Sequence, residues 1–504
     1  MLNKFRDKFL LEIVVFVCGA LVMIYEIIGS RILAPYIGAS TYIWTSLIGV
    51  ILGSLSLGYW LGGRAADKKS ELKLLAGILF SAAALVTVTL LLQDFILSFL
   101  ATVSIRLELK AILAALVLFA PASILFGFVT PYVVRLKMIS VEDAGKIVGR
   151  LYALSTVGSI CGTFLAGFFL LPSVGSIRTI YLIIAILFLL SILVAPFTLT
   201  PKKMHALILF PFAIGLNEFV SYSLGKDYDL HDFDTAYSRV RIFRTTDKET
   251  NKPMEVLTLD PFSTQSAMFL DSDEMVLKYA RFYHLLRHFK PDFQKTLIIG
   301  GAGYSFPKDY LRKYPDKKID VVEIDPQMTE IARKYFRLKD NLNMRIFHED
   351  GRVFLNQTKE KYDVVLVDAF GAVFSVPFQL TTVEAVRKMS GILNENGLVI
   401  VNLISAVEGD DSKFLQAEYK TCAEVFPNVL LFKVRLEKDD AATQNLILVA
   451  SKSKNISLKS NDEEISQLFQ NLYKKPLNLT VPALTDDFAP VEYDNSFAQK
   501  AAAN

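Results

Sequence analysis

The chain of 504 residues is short of the side chains that staple a fold or hold a metal. Of its three cysteines, Cys18 and Cys161 lie in apolar runs and Cys422 lies far downstream, which excludes a disulfide framework and a thiolate cluster. Its five histidines are scattered, so no metal is expected. The net charge of +3 is too small to imply a nucleic-acid partner. There is no internal repeat and no low-complexity tract, and the closing AAAN is too short to interpret. The first apolar run is too long, and followed by too many others, to be a cleaved signal peptide.

What the chain has in excess is apolar surface. Hydrophobic residues make up 52% of it and mean hydropathy is +0.37, with the surplus ahead of Gly225. Six runs, near 9–28, 43–63, 74–92, 111–134, 151–171 and 179–199, reach the ~20 residues that a helix needs to cross a bilayer. A seventh, 204–222, is weakened by Pro211, Asn217 and Glu218. Small residues recur at helix-packing spacing at Gly49 and Gly53, Gly58 and Gly62, and Gly158 and Gly162.

Lys4, Arg6, Lys8, Arg64, Lys68, Lys69, Lys73, Arg135, Lys137, Lys146, Arg150, Lys202 and Lys203 fall on one side of these spans. Arg31, Arg106, Lys110 and Arg178 fall on the other, which puts the N-terminus in the cytoplasm. Six spans keep the soluble remainder cytoplasmic, and a genuine seventh places it outside; the expectation is the cytoplasm. Glu26, five residues before Arg31, is an acid at membrane depth, either functional or paired with Arg31; Glu12 lies near a span end and can snorkel.

Past Gly225 the chain turns soluble. SRVRIFRTT and MEVLTLD alternate as in a small antiparallel sheet, and Asp271 to Phe289 reads as a helix capped by Asp271 or Ser272. The chemical signal is strongest from Thr296 to Pro326. Leu297-Ile298-Ile299 runs into Gly300-Gly301-Ala302-Gly303, a short helical pattern follows, and a second apolar run ends in Glu323 and Asp325. Strand, glycine turn, helix, strand and acid form a nucleotide-binding βαβ unit, in which the glycines admit a ligand to the backbone and the acid accepts ribose hydroxyls. Further apolar strands end at Asp350-Gly351 and at Asp368, with later ones at Gly397–Leu403 and Leu446–Ser451. Such strands between helices predict a doubly wound, mostly parallel sheet, with acids at the carboxyl ends where these folds bind ligand.

These residues resemble the spermidine synthase (polyamine aminopropyltransferase) family from about Tyr237 to Glu492. The resemblance rests on LTLD ending at Asp260, Gln265, Tyr283-His284, IIGGAG, VVEID, HEDG, VDAF and DDFAPVEY. EIIGSRILAPYIGASTYIW and GYWLGGRAAD ahead of them are similar to the first two spans of membrane-fused bacterial members. The resemblance implies an α-helical transmembrane bundle at 1–224, a small antiparallel β subdomain and connecting helix at 225–290, and an α/β Rossmann-like methyltransferase-type domain at 291–504. It implies a bacterial inner-membrane protein that moves an aminopropyl group from decarboxylated S-adenosylmethionine to a small amine such as putrescine. Glu323 would hold the ribose, Asp350 the adenine amine, and Gln265 would lie along the nucleoside, with Gly300, Gly301, Gly303 and Gly351 around them. Asp368 would take the proton, and Tyr283, His284 and Glu492 would serve the substrate. Members often dimerise. Three acids of the family pattern are absent: their places hold Gly303, Gly371 and Leu285. Methyl transfer from S-adenosylmethionine to an unknown acceptor, and a non-catalytic ligand sensor associated with transport, therefore stay open.

Overall fold

The computed structural model describes residues 2–496 apart from 39, 104, 139, 196–207, 209, 220–222, 224–225, 227–228, 261–263 and 370–375. Two compact units divide the chain: residues 1–227 with 233–239, and residues 228–232 with 240–504.

The first unit is helical. Helices α1 (Leu2–Ile37), α2 (Thr41–Lys68) and α3 (Leu72–Thr102) are followed by a pair, α4 (Leu107–Leu118) and α5 (Ala120–Lys137), bent by 56°. The expected single span at 111–134 is thus broken at Phe119, where Pro121 at the start of α5 has no amide hydrogen to continue α4. Helix α6 (Ala144–Leu165) continues through a π turn at Ala166–Leu170 to Ser173, and α7 covers Ser176–Val194. Among the described residues, five helices are long and apolar enough to cross a membrane, or six if the bent pair counts as one span. The seventh apolar run lies partly outside the described residues; within it, 210–219 is helical and is called α8.

Glycine sets the closest approaches in this unit. A Cβ on Gly158 would stand 2.0 Å from the Phe16 carbonyl oxygen, and one on Gly162 2.3 Å from that of Ala20. Phe16 and Ala20 thus advance in step with Gly158 and Gly162, so α1 and α6 run parallel. Gly58 and Gly62 press on α5 in the same way, whereas Gly49 and Gly53 have nothing within 4 Å and do not serve the packing expected of them. At one end of the bundle Glu12 pairs with Lys137 and with Arg150, so its carboxylate is held between helices and does not snorkel alone. The start of α3 lies at that end too, where Glu71 N donates to Tyr132 Oη (3.1 Å).

The second unit is α/β. Strands β1 (Arg239–Thr246), β2 (Pro253–Thr258) and β3 (Thr264–Phe269) form an antiparallel meander. The helix expected over 271–289 begins only at Lys278 and passes through a 3-10 stretch at Phe282–Leu285. Met275 bridges to Met268 instead, which keeps the preceding segment extended. The large sheet has β4 (Lys295–Ile299), β5 (Lys318–Val322), β6 (Met344–Phe347), β7 (Tyr362–Val367), β8 (Leu393–Ser405), β9 (Asn428–Lys433) and β10 (Gln444–Ser451). Their order is β9-β10-β8-β7-β4-β5-β6, all running in one direction except β10, which is antiparallel to both its neighbours. Every residue of β7 is buried, as a central parallel strand covered on both faces requires. The chain winds outward from β4 to β6 and then returns to the other side of β4. The switch point therefore lies between the carboxyl ends of β4 and β7.

Candidate active site

Gly300 and Asp368 close these two strands. Asp368 N donates to the Ile299 carbonyl at 2.9 Å, and Gly300 N to that of Val322 at 2.9 Å. Gly300 has φ +103°, and a Cβ there would stand 2.4 Å from the Asp368 carbonyl oxygen. Only glycine meets both conditions. The turn continues with Ala302 at φ 43° and Tyr304 at φ 54°, conformations that L residues rarely hold without outside support.

Glu323 supplies that support. Its Oε2 accepts from Gly301 N (2.8 Å) and Ala302 N (3.0 Å), and its Oε1 from Asp325 N (2.9 Å). Three of about four acceptor directions are thus taken by these described donors. Gly303 N donates to Ser266 Oγ (2.9 Å), and a Cβ there would sit 2.7 Å from Ser266 Cβ. The absent acid at this place has no room in this turn.

Asp368 is the buried carboxylate at this switch point. Its Oδ2 accepts from Tyr279 Oη (3.2 Å) and its Oδ1 from Asn402 Nδ2 (3.1 Å). Asn402 Oδ1 in turn accepts from Asn445 Nδ2 (3.0 Å), which fixes the amide with its NH₂ toward the carboxylate. The Tyr283 hydroxyl faces the same carboxylate without reaching hydrogen-bond geometry. Burial pushes the Asp368 carboxyl above the usual range, and the Asn402 and tyrosine donors pull it part of the way back. Burial, then the Asp368 charge, holds the Tyr279 phenol well above its ordinary value, so it stays a donor. A pocket lined by Gln265, Ser266, Tyr279, Gly300, Gly301, Ala302 and Asp368, among others, opens at this point.

The other expected residues stand outside that lining. Asp350 caps the helix Gly351–Gln357, its Oδ1 accepting from Arg352 N (2.8 Å) and Val353 N (3.1 Å). Gly351 lets that helix approach β4, since a Cβ would lie 2.6 Å from Ile299 Cγ2. His284 is fully buried, with Nε2 on Asp309 Oδ2 (2.7 Å) and Nδ1 on the Tyr314 hydroxyl (2.9 Å), so both ring nitrogens are occupied. Burial lowers the His284 pKa against the partial support of Asp309. Glu492 lies on the short helix Val491–Ser496. Gly371 lies outside the described residues. Tyr279, Ser266, Asn402 and Asn445 belong to no motif that the sequence singles out; the signal for Asn402 is one polar residue in an otherwise apolar strand, GLVIVNL.

A family model described as the spermine/spermidine synthase domain matches residues 275–460, which contain the glycine turn, Glu323, Asp368 and Asn402. Residues 275–460 are a spermine/spermidine synthase domain. Relatives extend the likeness. A polyamine aminopropyltransferase of Vibrio vulnificus is 25% identical over 55% of this chain and 95% of its own length. Polyamine aminopropyltransferase 2 of Aquifex aeolicus is 25% identical over 77% of this chain and 78% of its own. An alignment of 407 residues is longer than the α/β unit and includes part of the helical one. Among solved structures, a probable spermidine synthase from Corynebacterium glutamicum is 21% identical, covering 54% of this chain and 94% of its own, with a TM-score of 0.41.

Proposed function

We propose that the protein is a membrane-embedded aminopropyltransferase of the spermidine synthase type. The donor is decarboxylated S-adenosylmethionine, its nucleoside held by the glycine turn with Glu323, Asp350 and Gln265. The amine nitrogen of the acceptor attacks the methylene next to the sulfonium. The carbon–sulfur bond breaks, its electron pair neutralises the sulfur, and methylthioadenosine leaves. The proton of the attacking amine passes to Asp368. Raising the pKa of this carboxylate makes it a stronger base, and placing it at the switch point puts it beside the turn that takes the nucleoside. The sulfonium is already a good leaving group, so positioning is the main demand on the protein. The observation that carries this reading is the Asp368 carboxylate, held by Tyr279 and Asn402 in a pocket shared with Gly300–Ala302 and Gln265.

A second reading keeps the nucleoside site and changes the group moved. Leu285 is fully buried and Gly303 is pressed on Ser266, so neither family position offers a carboxylate to an ammonium group. Methyl transfer from intact S-adenosylmethionine to a less charged acceptor fits that loss. Calorimetric titration of the purified full-length chain with decarboxylated S-adenosylmethionine, S-adenosylmethionine and methylthioadenosine separates the two. Preference for the decarboxylated donor supports aminopropyl transfer, and preference for the intact one supports methyl transfer. A folded chain that binds none of the three sinks both.

A further inference from the structure

The helical unit holds its own record of where the chain leaves it. Helix α7 starts at the end of the bundle where α1 finishes, because α6 runs parallel to α1 and α7 follows it directly. Helix α8 packs on α7 in reverse. Phe210 meets Phe188 with ring centroids 5.8 Å apart, and seven residues later Asn217 Nδ2 donates to the Tyr181 hydroxyl at 2.9 Å. Moving up α8 is moving down α7, toward Ser176. Ala213, between these contacts, is fully buried in the bundle core. Asn217 is one of the residues that weaken the seventh apolar run, and its polar amide is accommodated by Tyr181.

The segment that follows is tied to that same end. Asp234 Oδ2 accepts from Ser176 N at 2.7 Å, a carboxylate on the first free amide of α7, where the helix dipole favours negative charge. Arg31, on the last two turns of α1, donates to the carbonyls of Thr235 (3.5 Å) and Ala236. Gly175 has φ +83°, and a Cβ there would stand 2.9 Å from Asp234 Oδ2, so the turn before α7 leaves room for this carboxylate.

We propose that the chain crosses the bilayer seven times, by the five long helices, the bent α4–α5 pair and α8, and that the residues after 239 lie on the face opposite the N-terminus. The charge distribution names the faces. Lys68, Lys69, Lys73, Arg135, Lys137, Lys146 and Arg150 gather at the end where α1 begins, and Arg31, Arg106, Lys110 and Arg178 at the other. The richer end is cytoplasmic. The spermine/spermidine synthase domain is therefore extracytoplasmic, which reverses the expectation drawn from six crossings. Its nucleoside donor and its acceptor must reach it from that face, and the bundle anchors it there.

The test is the side of the membrane, which does not depend on any activity. Two single-cysteine variants of the full chain, Val141→Cys on the α5–α6 loop and Glu424→Cys on the α/β unit, are expressed in a Gram-negative bacterial host with the three native cysteines changed to serine or alanine. A membrane-impermeant maleimide should label position 424 in cells with a permeabilised outer membrane, and position 141 only after the inner membrane is opened. Alkaline phosphatase fused at the C-terminus should be active and green fluorescent protein fused there dark. Absence of labelling at 424 until the inner membrane is opened, or a fluorescent C-terminal fusion with inactive phosphatase, overturns the proposal.

Discussion

Gly158 in the helical unit and Gly300 in the α/β unit both admit a neighbouring carbonyl oxygen to within 2.4 Å of where a Cβ would be. Gly158 does so from ordinary helical backbone, in a helix expected to lie in lipid, where association depends on close van der Waals packing. Gly300 does so at φ +103°, where the dihedral itself excludes other residues, beside a carboxylate that must stay put. Charge is handled differently as well. In the bundle Glu12 sits between Lys137 and Arg150 near one end, whereas in the α/β unit the described partners of Asp368 are neutral donors. The bundle is built for packing and neutralised ends, whereas the other unit buries one carboxylate among neutral donors.

The sharpest way to break that contrast is Asp368→Asn. Transfer should fall roughly 10²- to 10⁴-fold, the range of general-base contributions. The thermal midpoint should hold or rise. Because the folded carboxyl has a raised pKa, its contribution to stability is present at low pH and is lost as pH rises through that pKa, so removing the charge costs nothing at neutral pH. A large drop in midpoint would mark Asp368 as structural. Gly300→Ala should weaken methylthioadenosine binding by on the order of 10- to 100-fold, from roughly 1–3 kcal/mol of backbone strain plus the clash with Asp368; unchanged calorimetric affinity would show that the turn does not shape the site.

Gly158→Leu should cost the bundle at least ~1–3 kcal/mol through overpacking against Phe16, seen as a lower melting point in detergent. Gly49→Ala, with open space around it, should stay within ~0.5 kcal/mol. Equal effects at the two positions would mean that the α1–α6 contact is not what holds the helices. The finest change is Asn402→Ala. It removes a donor to the charged carboxylate, so the Asp368 pKa rises further and the acid limb of the rate profile moves to higher pH, with the plateau little altered. Asn445→Ala should give a smaller shift in the same direction, and an unmoved limb in both would dismiss the relay.

Much of the architecture is legible in the amino-acid order. The apolar runs announce the helices because a bilayer asks for length and hydropathy, both one-dimensional properties. The uniformly apolar strands and the glycine turn announce the α/β sheet for a similar reason: local backbone demands and burial on both faces leave their mark residue by residue. Asp368 is legible as an acid at a strand's end. What is not legible is which of these residues meet. The pairing of Asn402 and Asn445 with Asp368 joins three strands, and nothing in their spacing forecasts it. Glu323 reads as a ribose ligand, yet one of its oxygens is taken up by the glycine turn and the other accepts from Asp325 N, because the turn's left-handed residues need a partner that the adjacent strand supplies. His284 reads as a substrate contact, yet Asp309 and Tyr314 enclose it. The seventh apolar run looks too polar to count, since the Tyr181 hydroxyl that accommodates Asn217 lies on another helix. Sequence alone determined the classes of element and the chemistry available, because these follow from side-chain type and period. Tertiary structure alone decided which polar groups serve the fold and which are left for a ligand, because a hydrogen bond is settled by proximity in space.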